Sequence, residues 1–160
     1  MGRRDGLAAP QALTIAIAAV AAIRGMMSSD PARSDSDKNG PFRIMIVDDE
    51  KDITMIFRSA LERAGFVVEV FNNPLDALSH FKAGYYDLAL LDVRMPQMSG
   101  FELYQAIRKM DKDFKACFIS GFEVYGEELR KYAPDKDEEC IIKKPVSTRD
   151  LVKIIKEELE

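Results

Sequence analysis

Cysteine and histidine are scarce in this chain. Cys117, Cys140 and His80 are its only examples in 160 residues. Two thiols are too few for a disulfide framework, and no Cys/His spacing of a metal site is present. Both cysteines lie in apolar runs, so they are read as reduced, buried thiols of a cytosolic protein. His80 falls on an expected helix, where a solvated or half-buried side chain is the simpler reading than a catalytic one. Positive charge is in deficit. Lys and Arg number 23 against 27 Asp and Glu, a net charge of −4, which argues against nucleic acid as the main partner. No internal repeat is found. A glycine-rich phosphate loop is missing too: the first strand-like run leads into Asp48-Asp49-Glu50-Lys51, which counts against a nucleotide-binding α/β domain.

Long hydrophobic runs are absent with one exception. Gly6 to Ile23 is uncharged and alanine-rich, and it follows Arg3 and Arg4. A leader or membrane anchor has to be weighed. Alanine is only mildly apolar, Pro10 interrupts the start, and about 18 residues is the lower edge for a span. Basic residues flank the run on both sides and set no orientation. The preferred expectation for residues 1–41 is a dispensable extension, with Met26 and Met27 as internal starts; a single-span anchor is the alternative. Ser28 to Pro41 reads as a polar, disordered linker. The folded domain is expected over residues 42–160, with no second domain.

What is present is a regular alternation. Hydrophobic residues make up 47% and charged residues 31%, the balance of a globular fold. Arg43–Val47 reads as a buried strand. Ile53, Ile56, Phe57, Ala60, Leu61 and Ala64 then recur as one helical stripe ended by Gly65. Phe66–Phe71 is a second strand. Asn73 caps the next helix with Pro74 at its first position; Leu75, Leu78 and Phe81 face inward and Gly84 closes the turn. Asp87–Leu91 is the third strand and Phe101–Met110 the next helix. Lys115–Ile119 is the fourth strand, stopped at Ser120-Gly121. Tyr125, Leu129 and Tyr132 suggest a short helix ended by Pro134. Glu139–Ile142 is the fifth strand. Ser147 with Asp150 resembles a capping box before a last stripe of Leu151, Ile154, Ile155 and Leu159. Five strands alternating with five helices predict an α/β fold, a doubly wound parallel sheet with helices on both faces.

One stretch organises the rest. Leu88-Ala89-Leu90-Leu91 is a continuous apolar run, as in a strand buried on both faces. It ends in Asp92, and the loop behind is shaped by Pro96 and by Gly100, which permits an unusual backbone angle. Taken alone, Asp92 could simply cap a turn. The other strands decide otherwise. Strand one ends in Asp48-Asp49, strand four in Ser120, and strand five in Lys144-Pro145. In a doubly wound sheet the carboxyl ends share one edge, where ligands bind. Crowded carboxylates repel one another unless a cation is present. Mg²⁺ suits such a set because it prefers oxygen ligands and keeps several waters. Metal, ammonium and hydroxyl together would balance the oxygens of an incoming phosphoryl group, and a carboxylate can itself attack, giving an acyl phosphate.

These motifs have a known parallel. Val47-Asp48-Asp49, Leu91-Asp92-Val93-Arg94-Met95-Pro96-Gln97-Met98-Ser99-Gly100, Phe118-Ile119-Ser120-Gly121 and Lys144-Pro145 occur in order at strand ends. On them, Phe42 to Glu160 resembles the receiver domain of two-component response regulators. The resemblance implies a flavodoxin-like (CheY-like) sheet of order 2-1-3-4-5. It implies a phosphoprotein that takes a phosphoryl group on Asp92 from a histidine kinase. It also implies Mg²⁺ held directly by Asp49 and Asp92, through water by Asp48, and by the backbone carbonyl of Arg94. Ser120 and Lys144 would each bond a phosphoryl oxygen, and a cis bond would precede Pro145. One position departs from the family. An aromatic switch usually stands three residues before the lysine, and here that residue is Ile141. Readout would then pass to Phe122 or Tyr125, or coupling would be weaker.

The function expected is that of a stand-alone cytoplasmic receiver, signalling through phosphorylation-dependent protein contacts, with a sensor kinase or phosphotransfer protein upstream. It would be no enzyme beyond its own phosphorylation and dephosphorylation, with neither nucleic acid nor membrane as partner. A phosphorelay intermediate or phosphate sink is the alternative. An Asp-nucleophile phosphatase of the haloacid-dehalogenase type is a third; it needs a second aspartate two residues on, where Arg94 stands.

Overall fold

The computed structural model describes residues 39–121, 131 and 140–160. The expected extension over residues 1–41, apart from its last three residues, lies outside them. So does the helix expected around Tyr125, Leu129 and Tyr132, together with Phe122. Five strands are present: β1 (Arg43–Val47), β2 (Val67–Phe71), β3 (Leu88–Asp92), β4 (Ala116–Ser120) and β5 (Cys140–Lys143). Four helices accompany them among the described residues: α1 (Lys51–Arg63), α2 (Pro74–His80), α3 (Gly100–Met110) and α4 (Thr148–Leu159). None of these is long and apolar enough to cross a membrane. All strand pairs are parallel, in the order β2-β1-β3-β4-β5.

The alternation of side chains along each strand builds two cores. Ile44, Ile46, Leu88, Leu90, Cys117, Ile119 and Ile142 meet Phe57 and Leu61 of α1 and Leu151 and Ile155 of α4. Intervening residues of the same strands, such as Met45, Val47, Leu91 and Phe118, are buried as well. Phe118 meets the rings of Phe101 and Tyr104 from α3. The central strand β3 is therefore buried along its whole length.

The helix ends follow local chemistry. Asn73 accepts a hydrogen bond from Leu75 N–H at the start of α2, and Gly65 takes φ +95° after α1, a conformation glycine adopts cheaply. Ser99 and Glu102 form a full capping box for α3, a pattern the sequence carries as S-x-x-E. At α4 Ser147 accepts from Asp150 N–H, yet the shorter Asp150 carboxylate takes the Ser147 hydroxyl proton instead of the backbone N–H.

Three expectations need correction. Ile56 was placed on the buried stripe of α1, but it is exposed together with Met55, and Thr54 is buried in that region. The Thr54 hydroxyl donates to the Lys51 carbonyl and accepts from Asn72, so its polarity is satisfied locally. Gly100 has no positive φ; the left-handed residue of its loop is Gln97, at φ 72°. Glycine is needed at position 100 for another reason: a Cβ there would lie 2.3 Å from the Asp92 backbone oxygen. The cysteines, finally, are not separate thiols. Cys117 and Cys140 are partners in the β4–β5 register and form a disulfide, and Cys140 is only half-buried. Sequence alone could not pair them, because their contact depends on which strands are neighbours and in what register.

Candidate functional site

Four polar residues are buried among those described: Asp48, Thr54, Asp92 and Ser120. Thr54 is accounted for by its helix. The other three stand at the carboxyl ends of β1, β3 and β4, side by side because those strands are neighbours in the sheet. Burying carboxylates costs several kcal/mol apiece unless they are paired, so their company matters.

Lys144 supplies it. The residue lies just past β5, and its backbone N–H donates to the Ser120 carbonyl at 2.8 Å. Its Nζ donates to Asp48 Oδ2 at 2.9 Å and to Asp92 Oδ1 at 3.2 Å; Glu50 Oε1 is 3.7 Å away. The peptide bond from Lys144 to Pro145 is cis. One ammonium is thus shared by two buried carboxylates. Asp48 is fixed further: its Oδ1 accepts from Glu50 N–H, and its carbonyl accepts from the Asn72 amide. Asn72 is a positioning residue with no signal in the sequence beyond its place before the Asn73 cap.

Charge remains unbalanced. Carboxylate oxygens of Asp48, Asp49 and Asp92 lie within 4.8 Å of one another. Burial and the negative charge of Asp48 push the Asp92 carboxyl from 3.8 up to about 6, with Asp49 adding to the rise and Lys144 opposing it. Burial pushes the Lys144 ammonium down, but its hydrogen bond to Asp48 and the charges of Asp48 and Asp92 outweigh that, and its proton affinity is raised. Three hard oxygen donors and a carboxyl this reluctant to ionise are what a small divalent cation would relieve, so the donor set fits Mg²⁺.

The loop after β3 completes the rim. Met98 is buried and Arg94 is exposed. Gly100 N–H donates to the Val93 carbonyl, which holds α3 directly behind Asp92. On the far side, Ile141 pairs with Phe118 in the register and is 37% exposed. Of the residues singled out from the sequence, Asp48, Asp49, Asp92 and Lys144 converge, and Ser120 adjoins them through its contact with Lys144. His80 is exposed at the end of α2, bonding the Asp76 carbonyl.

Known proteins share this plan. The family model of the response regulator receiver domain matches residues 44–156. The response regulator receiver protein CpdR of Brucella abortus is 34% identical over 120 residues, which is 73% of this chain and 96% of CpdR. The regulatory protein VanRc of Enterococcus gallinarum is 40% identical over 67 residues, 42% of this chain but only 29% of that longer protein. Among solved structures, a CheY-like receiver domain protein of Methanospirillum hungatei superposes with TM-score 0.67 at 30% identity, over 75% of this chain and 94% of that one. TrrA of Thermotoga maritima, solved in complex with Mg(2+)-BeF, gives 0.63 at 32% identity, over 72% and 97%. Sheet order, the buried strand-end carboxylates and these matches agree: the chain belongs to the family of response regulator receiver domains.

Proposed function

We propose that Asp92 is the phosphoacceptor, and that the chain signals through the change this makes at β4 and β5. The observation that carries the reading is the shared ammonium. Lys144 holds two buried carboxylates that would otherwise repel, and a third carboxylate stands beside them. Asp92 Oδ attacks the phosphorus of a phosphohistidine or a small acyl phosphate, and the donor leaves. Lys144 then has a phosphoryl oxygen to bond in place of the Asp92 carboxylate, and the Ser120 hydroxyl takes another. Mg²⁺, held by Asp49 and Asp92 with the Arg94 carbonyl and, through water, Asp48, would neutralise the phosphoryl oxygens. Receiver domains are signalling modules, so the upstream partner proposed is a sensor histidine kinase or phosphotransfer protein, in the cytoplasm. Output is proposed to pass through a protein partner; the chain spans 96% of CpdR, itself a receiver protein. Arg94 stands where an Asp-nucleophile phosphatase needs its second aspartate, which favours a signalling role over that enzyme.

Intact-protein mass after incubation with acetyl phosphate and Mg²⁺ tests this. One phosphoryl group, labile to acid and base, is expected on the native chain, and none with chelator or in Asp92→Asn. Equal labelling of Asp92→Asn would overturn the assignment.

A further inference from the structure

The Cys117–Cys140 disulfide lies on the two strands that carry Ser120 and Lys144. The β4–β5 register that pairs the cysteines also pairs Ser120 with Lys143, and Lys144 N–H bonds the Ser120 carbonyl. The cross-link therefore sits three residues upstream of Ser120 and four upstream of Lys144, on the same strands. β5 is one of the sheet's two edge strands and the shorter of them, four residues long and paired on one side only. It is the strand with most to gain from a covalent tie. The 23-residue separation of the cysteines makes the tie a long-range one. The pair also lies near the surface. Cys117 is fully buried, but Cys140 is half-buried, and the carboxylate of exposed Glu158, on the last turn of α4, is within 4.8 Å of both sulfurs.

We propose that Cys117 and Cys140 form a thiol–disulfide exchange site, a clasp whose state is set by a low-molecular-weight thiol and its disulfide, of the glutathione class. Closing starts at Cys140, the reachable thiol. Its thiolate attacks one sulfur of the external disulfide, forming a mixed disulfide and releasing one thiolate. The Cys117 thiolate then attacks the Cys140 sulfur and releases the second. Two electrons pass from the protein thiols to the external disulfide, and the two protein protons end on the two released thiols. Opening is the reverse. The closed clasp holds β5 in register, and with it Lys144 against Ser120. The open form leaves β5 to its backbone bonds and the burial of Ile142. Intracellular disulfides are commonly of this reversible kind, which reconciles the pair with the thiol reading of the sequence.

The consequence for signalling rests on the phosphoryl-site reading, but the clasp does not, so the test uses Asp92→Asn, in which no acyl phosphate forms. The protein is equilibrated in excess reduced or excess oxidised glutathione. Free thiols are counted, and amide hydrogen exchange is followed by strand. Two thiols should appear and disappear together. On reduction, amides of Ile141 to Lys144 should exchange on the order of tenfold faster, while those of β1 and β3 stay unchanged. Cys140→Ser, at a half-buried site, should match the reduced form in both buffers. Thiols that stay free in excess oxidised glutathione would overturn the proposal. So would identical β5 exchange in the two states, or Zn²⁺ protecting the thiols from oxidation, which would make Cys117, Cys140 and Glu158 a metal site.

Discussion

β3 and β5 deliver the two residues that meet at the site, and they are built in opposite ways. β3 is Leu88-Ala89-Leu90-Leu91-Asp92, central and buried at every position. β5 is Cys140-Ile141-Ile142-Lys143, an edge strand with only Ile142 fully buried. On the proposed reading, the phosphoacceptor stands on the fully buried strand, and the cation that bonds it follows a short edge strand held by its backbone bonds and one disulfide. An acceptor has to hold its geometry; a reporter has to move. Under the proposed function, the difference assigns chemistry and response to different strands, with the Lys144–Asp92 hydrogen bond as the link.

The largest effect should come from disturbing the rigid side. Gly100→Ala puts a Cβ 2.3 Å from the Asp92 backbone oxygen, and the obstacle is backbone, so the β3–α3 junction must shift. A stability loss of about 3 kcal/mol or more is expected in urea unfolding, with phosphoryl acceptance impaired as well. A variant as stable as the native chain would show the junction is not tight.

The electrostatic cost on β3 comes next. The folded-state Asp92 carboxyl titrates at about 6 rather than 3.8. The folded state therefore binds this proton more tightly than the unfolded one. Stability contributed by the protonated form is present below about pH 4 and is lost as pH rises through 6. In chelator, unfolding free energy should fall over that window by on the order of 3 kcal/mol. Asp92→Asn should remove that fall and be more stable at pH 7 by a similar amount. Parallel pH profiles for the two proteins would contradict the buried, unbalanced charge.

The smallest effect belongs to the rim. Arg94, two residues past Asp92, is exposed, and a long planar side chain there is expected to hinder water approaching an acyl phosphate. Its charge is screened by solvent, so steric cover is expected to dominate. Arg94→Asn should speed loss of the phosphoryl group about threefold, measured after removing donor and without kinase or phosphatase. An unchanged or slower decay would show that Arg94 does not shield the bond.

All five strands, edge and centre alike, were legible to within a residue, because each is a short apolar run that stops at polar or turn-forming residues. The convergence of Asp48, Asp49, Asp92, Ser120 and Lys144 was legible for a related reason: each closes or follows a strand, and a parallel sheet gathers such ends. What failed needed three-dimensional neighbours. The cysteine pair depends on the β4–β5 register. Thr54 is inside and Ile56 outside because Asn72, 18 residues beyond Thr54, satisfies that hydroxyl. Gly100 looked like a torsional need and is instead a close approach to Asp92.

Amide chemical shifts in Lys144→Ala, recorded before and after labelling with acetyl phosphate and Mg²⁺, test the division between β3 and β5 most directly. Asp92 should still be labelled in part, because its nucleophile is untouched, while the shifts of β4 and β5 residues seen in the native chain should fall by more than about half. Full movement of β4 and β5 on labelling of that variant would contradict the account, since the response would then reach the edge of the sheet without the Lys144 ammonium.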